Sequence, residues 1–133
     1  MFTDPLCADL VKDLPMETEA YQPIVTFMNG EYWGIFALRE KCDDNHFKQV
    51  YDIPSTQIDL LENQSEVKAG NADDYNNMYA YIEGNSLAGS ANFSTIQTRM
   101  DTDNFTDYFI TNIFFNNRNW PGHNIYYWRK ETL

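Results

Sequence analysis

The sequence predicts an α+β fold. An apolar segment of helical period opens the chain, an Asn29-Gly30 turn between two apolar runs marks a β-hairpin, and the second half is dominated by helix-period stripes. With 133 residues the chain suffices for one domain with one core. The pattern divides it at about residue 70 into a helix, hairpin and strand half (1–70) and a mostly helical half (71–133).

Asp4-Pro5 opens the first helix, with Asp as cap and Pro at the first helical position. Cys7, Leu10, Val11 and Leu14 give it an apolar stripe, and Pro15 ends it. Cys7 falls on that stripe and is expected to be a buried free thiol. Pro23–Met28 and Glu31–Arg39 are the hairpin strands. Asn-Gly suits a type I′ turn, whose twist matches paired strands. Both strands are almost continuously apolar, which predicts at least one buried face. Asp43 and Asp44 cap a short helix ending at Tyr51. Gln57–Leu61 and Glu66–Ala69 read as short strands, with Gly70 as a turn.

Asn71 caps the next helix, where Tyr75, Met78, Tyr79 and Ile82 share a face and Gly84 is the stop. Asn92 caps another, with Phe93, Ile96 and Met100 inward. The longest helix runs from about Asp103 to Asn116, and Phe105, Tyr108, Phe109, Ile113 and Phe114 give it the wide apolar face of a spine. A polar loop, 117–124, leads into a strand at 125–129. No partner for that strand is evident in the sequence, and an unpaired terminal strand reads as truncation.

Nine Lys and Arg stand against 20 Asp and Glu, a net charge of −11. Such a surface repels a phosphate backbone, which argues against general nucleic-acid binding. No apolar run approaches the roughly 18 residues of a membrane span. No signal peptide is visible at the first residues. The two cysteines, Cys7 and Cys42, lack the spacing of a zinc site. Three N-x-S/T triplets begin at Asn63, Asn92 and Asn104 and matter only in a eukaryotic secretory protein. The acidic balance suits an exported bacterial protein, so the extracellular space or a bacterial cell surface is the expected location.

Three stretches together resemble the CotH (spore-coat protein H) kinase family. Asn29-Gly30-Glu31-Tyr32-Trp33-Gly34-Ile35, leading to Leu38-Arg39-Glu40, is similar to that family's NGEYxGxYxLxE hairpin. Asp101-Thr102-Asp103-Asn104-Phe105-Thr106-Asp107-Tyr108 is similar to the helix opening before its active loop. Asn117-Arg118-Asn119-Trp120-Pro121-Gly122-His123-Asn124, with the strand after it, resembles its NxDWPxHN segment. The resemblance implies an atypical protein-kinase-like fold that uses ATP and Mg²⁺ to phosphorylate Ser on a protein substrate. It implies a truncated domain, with residues 1–70 like a small lobe and 71–133 like the start of a large lobe. Glu40-Lys41-Cys42 would lie near the nucleotide as a hinge, making Glu40 the cofactor-side residue.

Arg118-Asn119-x-x-x-x-Asn124 has the spacing of the kinase loop R-D-x-x-x-x-N, whose Asp accepts the substrate proton and whose Asn holds a metal. The resemblance thus makes Arg118 and Asn119 the catalytic positions and Asn124 the metal ligand. Asn119 stands where Asp is expected, and an amide takes up no proton at neutral pH. No Gly-rich phosphate loop occurs in the 133 residues, and the small-lobe Lys and second metal-binding Asp are expected outside them. The chain alone is therefore expected to be inactive, and truncation to leave an apolar face that favours self-association.

Other readings stay open. Arg118 fits an ion pair on an acidic surface as well as a loop-orienting role. His123 reads as a loop residue, and Trp33 and Trp128 as core. Trp120 reads as core too, and beside Pro121 in a loop it is the first candidate for an exception, a ligand platform. A pseudoenzyme that binds nucleotide or a partner is the first alternative. A surface adhesion or carbohydrate-binding module, with a coplanar row of exposed aromatics, is the second.

Overall fold

The computed structural model describes residues 3–63 and 65–131. In chain order the elements are α1 (Thr3–Val11), β1 (Tyr21–Met28), β2 (Glu31–Arg39), α2 (Asp44–Tyr51), a 3-10 turn (Ser55–Gln57), β3 (Ile58–Glu62), β4 (Glu66–Ala69), α3 (Asp73–Gly84), α4 (Ser90–Gln97), α5 (Thr102–Phe114) and β5 (Tyr126–Lys130). Helix and strand are interspersed, and the fold is α+β. The chain divides into two compact units, Met1–Cys42 and Asp43–Leu133. The division falls earlier than the expected one near residue 70 because β3 finds its partner in β5, on the far side of that boundary.

The first unit is α1 and the hairpin. Asn29 (φ 52°) and Gly30 (φ 85°) both take the left-handed region that a type I′ turn requires. The strands pair from Tyr21↔Arg39 to Met28↔Glu31. The register shifts between Thr26 and Phe27, where Trp33 is the extra residue of a bulge, beside Gly34 at φ 134°. Asp4 Oδ2 on α1 accepts from Arg39 Nη2 on β2 at 3.0 Å. The expected buried face is not found: Val25, Phe27, Tyr32, Trp33 and Leu38 are all exposed. A two-stranded ribbon has nothing within itself to cover either side. Cys7 is correspondingly half-buried and free, rather than buried.

The second unit contains the core: Phe47, Ile53, Ile58, Leu60, Leu61, Ile96 and Ile125. Its sheet is antiparallel in the order β4-β3-β5, so the terminal strand, expected to lack a partner, pairs with β3 from Ile58↔Lys130 to Glu62↔Tyr126. Alternate side chains of a strand face opposite ways. On one face Trp128, opposite Leu60, meets Phe47 and Tyr51 of α2 with ring centroids 4.4 and 5.3 Å away. On the other, Tyr127 meets Tyr75 of α3 at 5.4 Å. With both faces covered, β3 is buried from Ile58 to Leu61, and this strand, not α5, is the spine of the unit.

One charge is built into that strand. Asp59, 4% exposed, accepts on Oδ1 from the backbone N and Nδ2 of Asn71, at 2.7 and 3.1 Å, and on Oδ2 from Arg129 Nε at 2.9 Å. Arg129 also pairs with Asp74 of α3. Asn71 Oδ1 in turn accepts from Asp73 N at 2.9 Å, so Asn71 caps α3 from just outside it. The network ties β3, β5 and the start of α3 together. Asp43 caps α2 as expected, accepting from Asn45 N and His46 N. α4 begins at Ser90, two residues before the expected Asn92 cap. Asn92 instead accepts from Tyr81 Oη and donates to Ser86 O.

Candidate functional site: the loop between α5 and β5

Asp101 caps α5 by accepting from Asp103 N and Asn104 N. The helix ends two residues earlier than expected, in a Schellman motif. Asn116 takes the left-handed conformation (φ 52°), its N–H donates to Ile113 O at 3.0 Å, and Asn117 N–H donates to Asn112 O at 3.0 Å. Asparagine tolerates this conformation better than other residues with a Cβ, which is why the chain turns there. As expected, the helix leads directly into the loop 117–124.

The loop is anchored in three places. At its entry a relay of amides runs from the helix outward. Asn112 Nδ2 donates to Tyr108 O (2.9 Å), Asn117 Nδ2 donates to Asn112 Oδ1 (2.8 Å), and Asn119 N donates to Asn117 Oδ1 (3.1 Å). In its middle, Trp120 precedes a cis peptide to Pro121 and packs edge-on against Phe109 at 4.6 Å and Tyr108 at 6.3 Å. Trp120 is thus packed against the helix, not presented as a platform, whereas Trp33 is the exposed tryptophan. Burial pushes the Tyr108 phenol above its ordinary range, against smaller opposing effects of Asn112 and Trp120. The buried Trp120 Nε1–H, though near that phenol, meets no hydrogen-bond geometry with any partner. At its exit, Asn124 (φ 61°) donates its N–H to Asn63 Oδ1 at 2.9 Å, and Asn63 N–H donates to Ile125 O at 2.7 Å.

Arg118, Asn119, His123 and Asn124 are all exposed. Arg118 makes no ion pair among the described residues, so the surface pairing expected for it is not seen. The carboxamides of Asn119 and Asn124 make no hydrogen bond among the described residues. Both keep their full donor and acceptor capacity while their backbone N–H groups are held. Glu40 belongs to the first unit. Its Oε2 accepts from Ala20 N at 3.3 Å and its N–H donates to Ala20 O at 3.0 Å, extending the hairpin ladder by one step.

Mg²⁺ takes oxygen ligands, usually with one or two carboxylates among them. Among the described residues no three His, Cys, Asp or Glu side chains gather as a metal group. The exposed carboxamide of Asn124 carries one oxygen, which by its chemistry suits at most a single position in such a shell. An open hollow of about 540 Å³ lies at the α4–α5 connection, lined by residues 97–103 and by none of the loop.

Sequence reasoning found the loop but missed what holds it. Asn63 stood out only as an N-x-S triplet, Asn116 and Asn117 only as the helix end and the first residue of the loop motif, and Asn112 not at all. The available signal was a density of asparagine at element ends, the residue that both adopts left-handed dihedrals and bonds nearby peptide groups. No curated protein and no solved structure matches the chain. The family model described as CotH kinase protein matches residues 1–133, and the chain belongs to that family.

Proposed function

We propose that the chain carries the catalytic-type loop of an atypical protein kinase that transfers phosphate from Mg-ATP to Ser on a protein. The observation that supports this is the form of the loop: Arg118-Asn119 and Asn124 at kinase spacing, with both asparagine backbones fixed and both carboxamides open to a ligand. Asn124 would supply one oxygen to a bound cation. When bound, Mg²⁺ neutralises phosphate charge. Asn119 Oδ1 accepts a hydrogen bond from a substrate hydroxyl and so orients it, but it does not remove the proton. Phosphoryl transfer depends mainly on positioning and charge stabilisation, so a loop without a base still contributes.

A phosphate-gripping loop, its Lys and a second metal-binding Asp are needed as well, and the 133 residues show no Gly-rich phosphate loop. By itself the chain is therefore inactive and binds Mg-ATP no more tightly than about millimolar. Glu40 at the nucleotide and a protein as acceptor are further parts of this reading.

The test is made in the full-length protein that carries this chain. Asn119→Asp should raise transfer to a Ser-containing acceptor by about 10²–10⁴-fold, the usual worth of a general base. Asn124→Ala should lower transfer and weaken Mg-dependent nucleotide binding. Asn119 itself favours a second reading, a pseudoenzyme. That reading prevails if nucleotide binds but neither variant nor the parent transfers phosphate. A folded parent that binds no ATP at all would sink both. The adhesion reading has less support, because the exposed hairpin rings of Phe27 and Tyr32 cross at 69° and form no flat platform.

A further inference from the structure

β3 and β5 pair as far as Glu62↔Tyr126, and beyond that register the ladder stops. The next residues on each side, Asn63 and Ile125, are joined irregularly. Asn63 N–H donates to Ile125 O at 2.7 Å, and the Asn63 side chain reaches one residue further to accept Asn124 N–H at 2.9 Å. Both asparagines are left-handed, at φ 59° and 61°. One residue at the start of the β3–β4 turn therefore grips the two peptide groups that flank the Asn124–Ile125 peptide, at the exit of a loop 61 positions away in sequence. Ile125, between Asn124 and the strand, is buried and fixes the far side of the grip. The Asn124 carboxamide itself is exposed, joined to this held backbone by its own side-chain bonds.

We infer that Asn63 is the positioning residue for Asn124: it fixes the backbone from which the Asn124 carboxamide is offered to a phosphate-bound divalent cation. This rests on the reading of Asn124 as a cation ligand. A neutral oxygen is a weak ligand for a hard cation, and its usefulness depends on being held in place before the cation arrives. Asn63 acts through Asn124, because its Oδ1 is directed at the Asn124 N–H.

Three substitutions separate this role from that of an ordinary turn residue. Asn63→Gly keeps the left-handed backbone and the bond to Ile125 O but deletes the acceptor. Asn63→Asp keeps an acceptor oxygen. Asn124→Ala removes the cation ligand of that reading. The isotope-labelled 133-residue chain is followed by NMR, reading amide exchange at Asn124 and β3 and the Asn124 side-chain resonances during titration with millimolar Mg-ATP. ATP with a chelator is the control.

In Asn63→Gly the Asn124 amide should exchange about 5-fold faster, the worth of one ordinary hydrogen bond, with β3 protection unchanged. The Mg-ATP concentration that half-shifts the Asn124 carboxamide should rise by about the same factor. Asn63→Asp should behave like the parent in both. Unchanged exchange and an unchanged midpoint in Asn63→Gly overturn the inference, as does equal damage from Asn63→Asp. If the loop responds to Mg-ATP equally in Asn124→Ala, or never responds in the unsubstituted chain when the titration is carried well past the millimolar affinity expected of it, the cation-ligand reading fails instead. The inferred role then falls with it, and amide exchange still tells whether Asn63 holds Asn124.

Discussion

Gly70 joins β4 to α3 at φ 66°, and there is no room for a side chain there. A Cβ would collide with Asp59 Oδ1 and would lie 2.5 Å from Ile58 O and 3.0 Å from Asp59 Cα. Gly70→Ala thus meets two separate costs. Left-handed backbone costs a residue with a Cβ about 1–2 kcal/mol. Overpacking a filled site costs about 1–3 kcal/mol more. The second cost resists relaxation, because Ile58 O belongs to the central strand and Asp59 is held by Asn71 and Arg129. The sum is about 2–5 kcal/mol, and at the lower end it should move the midpoint of thermal unfolding by several degrees. Urea unfolding followed by near-UV circular dichroism, which reports the Phe47, Tyr51 and Trp128 cluster, measures it. Gly30→Ala is the control for backbone strain alone, since Gly30 has φ 85° and no atom within 4 Å of its added Cβ. If Gly70→Ala costs less than about 1 kcal/mol, or no more than Gly30→Ala, the close packing of Gly70 against β3 is wrong.

Asp59→Ala should cost about 1–3 kcal/mol, because it takes the acceptor from Arg129 Nε and from both donors of Asn71 while Arg129 keeps Asp74; a loss below about 0.5 kcal/mol in the same melts would show the network to be dispensable. Burial pushes the phenols of Tyr75, Tyr108 and Tyr127 above the ordinary value of 10.0. A group raised in the folded state gives stability that is complete below the unfolded pKa and is lost as pH rises through the folded one. In alkaline titration at 295 nm these three should ionise above the ordinary range, with unfolding, and their ionising at the ordinary value in the folded chain would contradict their burial. The exposed hairpin residues Val25, Phe27, Tyr32, Trp33 and Leu38 should drive self-association. Sedimentation should show mass rising with concentration and Phe27→Ser with Trp33→Ser reversing it, whereas a concentration-independent monomer refutes this.

Local signals in the sequence placed most elements and missed what joins them. Asn29-Gly30 carries its turn chemistry in two adjacent residues, and Asp43 carries its own at a helix start, so these were legible. The β3–β5 pairing was not, because strands so far apart share no local pattern, and without it the last strand looked unpaired. The stripe on α5 misled for a related reason. Apolar period marks a face that favours burial but does not supply the cover, and Ile113 and Phe114 are exposed while Phe109 packs on Trp120. At the site, the spacing of Arg118, Asn119 and Asn124 was visible, but the amides holding them come from Asn63, Asn112 and Asn117, whose contacts exist only once the fold has formed.

That frame makes Asn119 an unusually clean position at which to ask whether the loop works chemically. Its backbone N–H is fixed by Asn117 Oδ1, and its exposed side chain makes no hydrogen bond among the described residues. Exchanging the carboxamide for a carboxylate of the same shape therefore disturbs no contact that holds the loop. The Schellman turn at Asn116, the packing of Trp120 and the grip of Asn63 on Asn124 all involve other atoms. What changes is the chemistry of one side chain: a neutral amide that donates and accepts hydrogen bonds becomes a carboxylate that accepts them and can take up a proton. A change in phosphate transfer on Asn119→Asp would then report the base itself and not a rearranged loop. Unchanged transfer, with the fold intact, would mean that positioning alone is what this loop contributes.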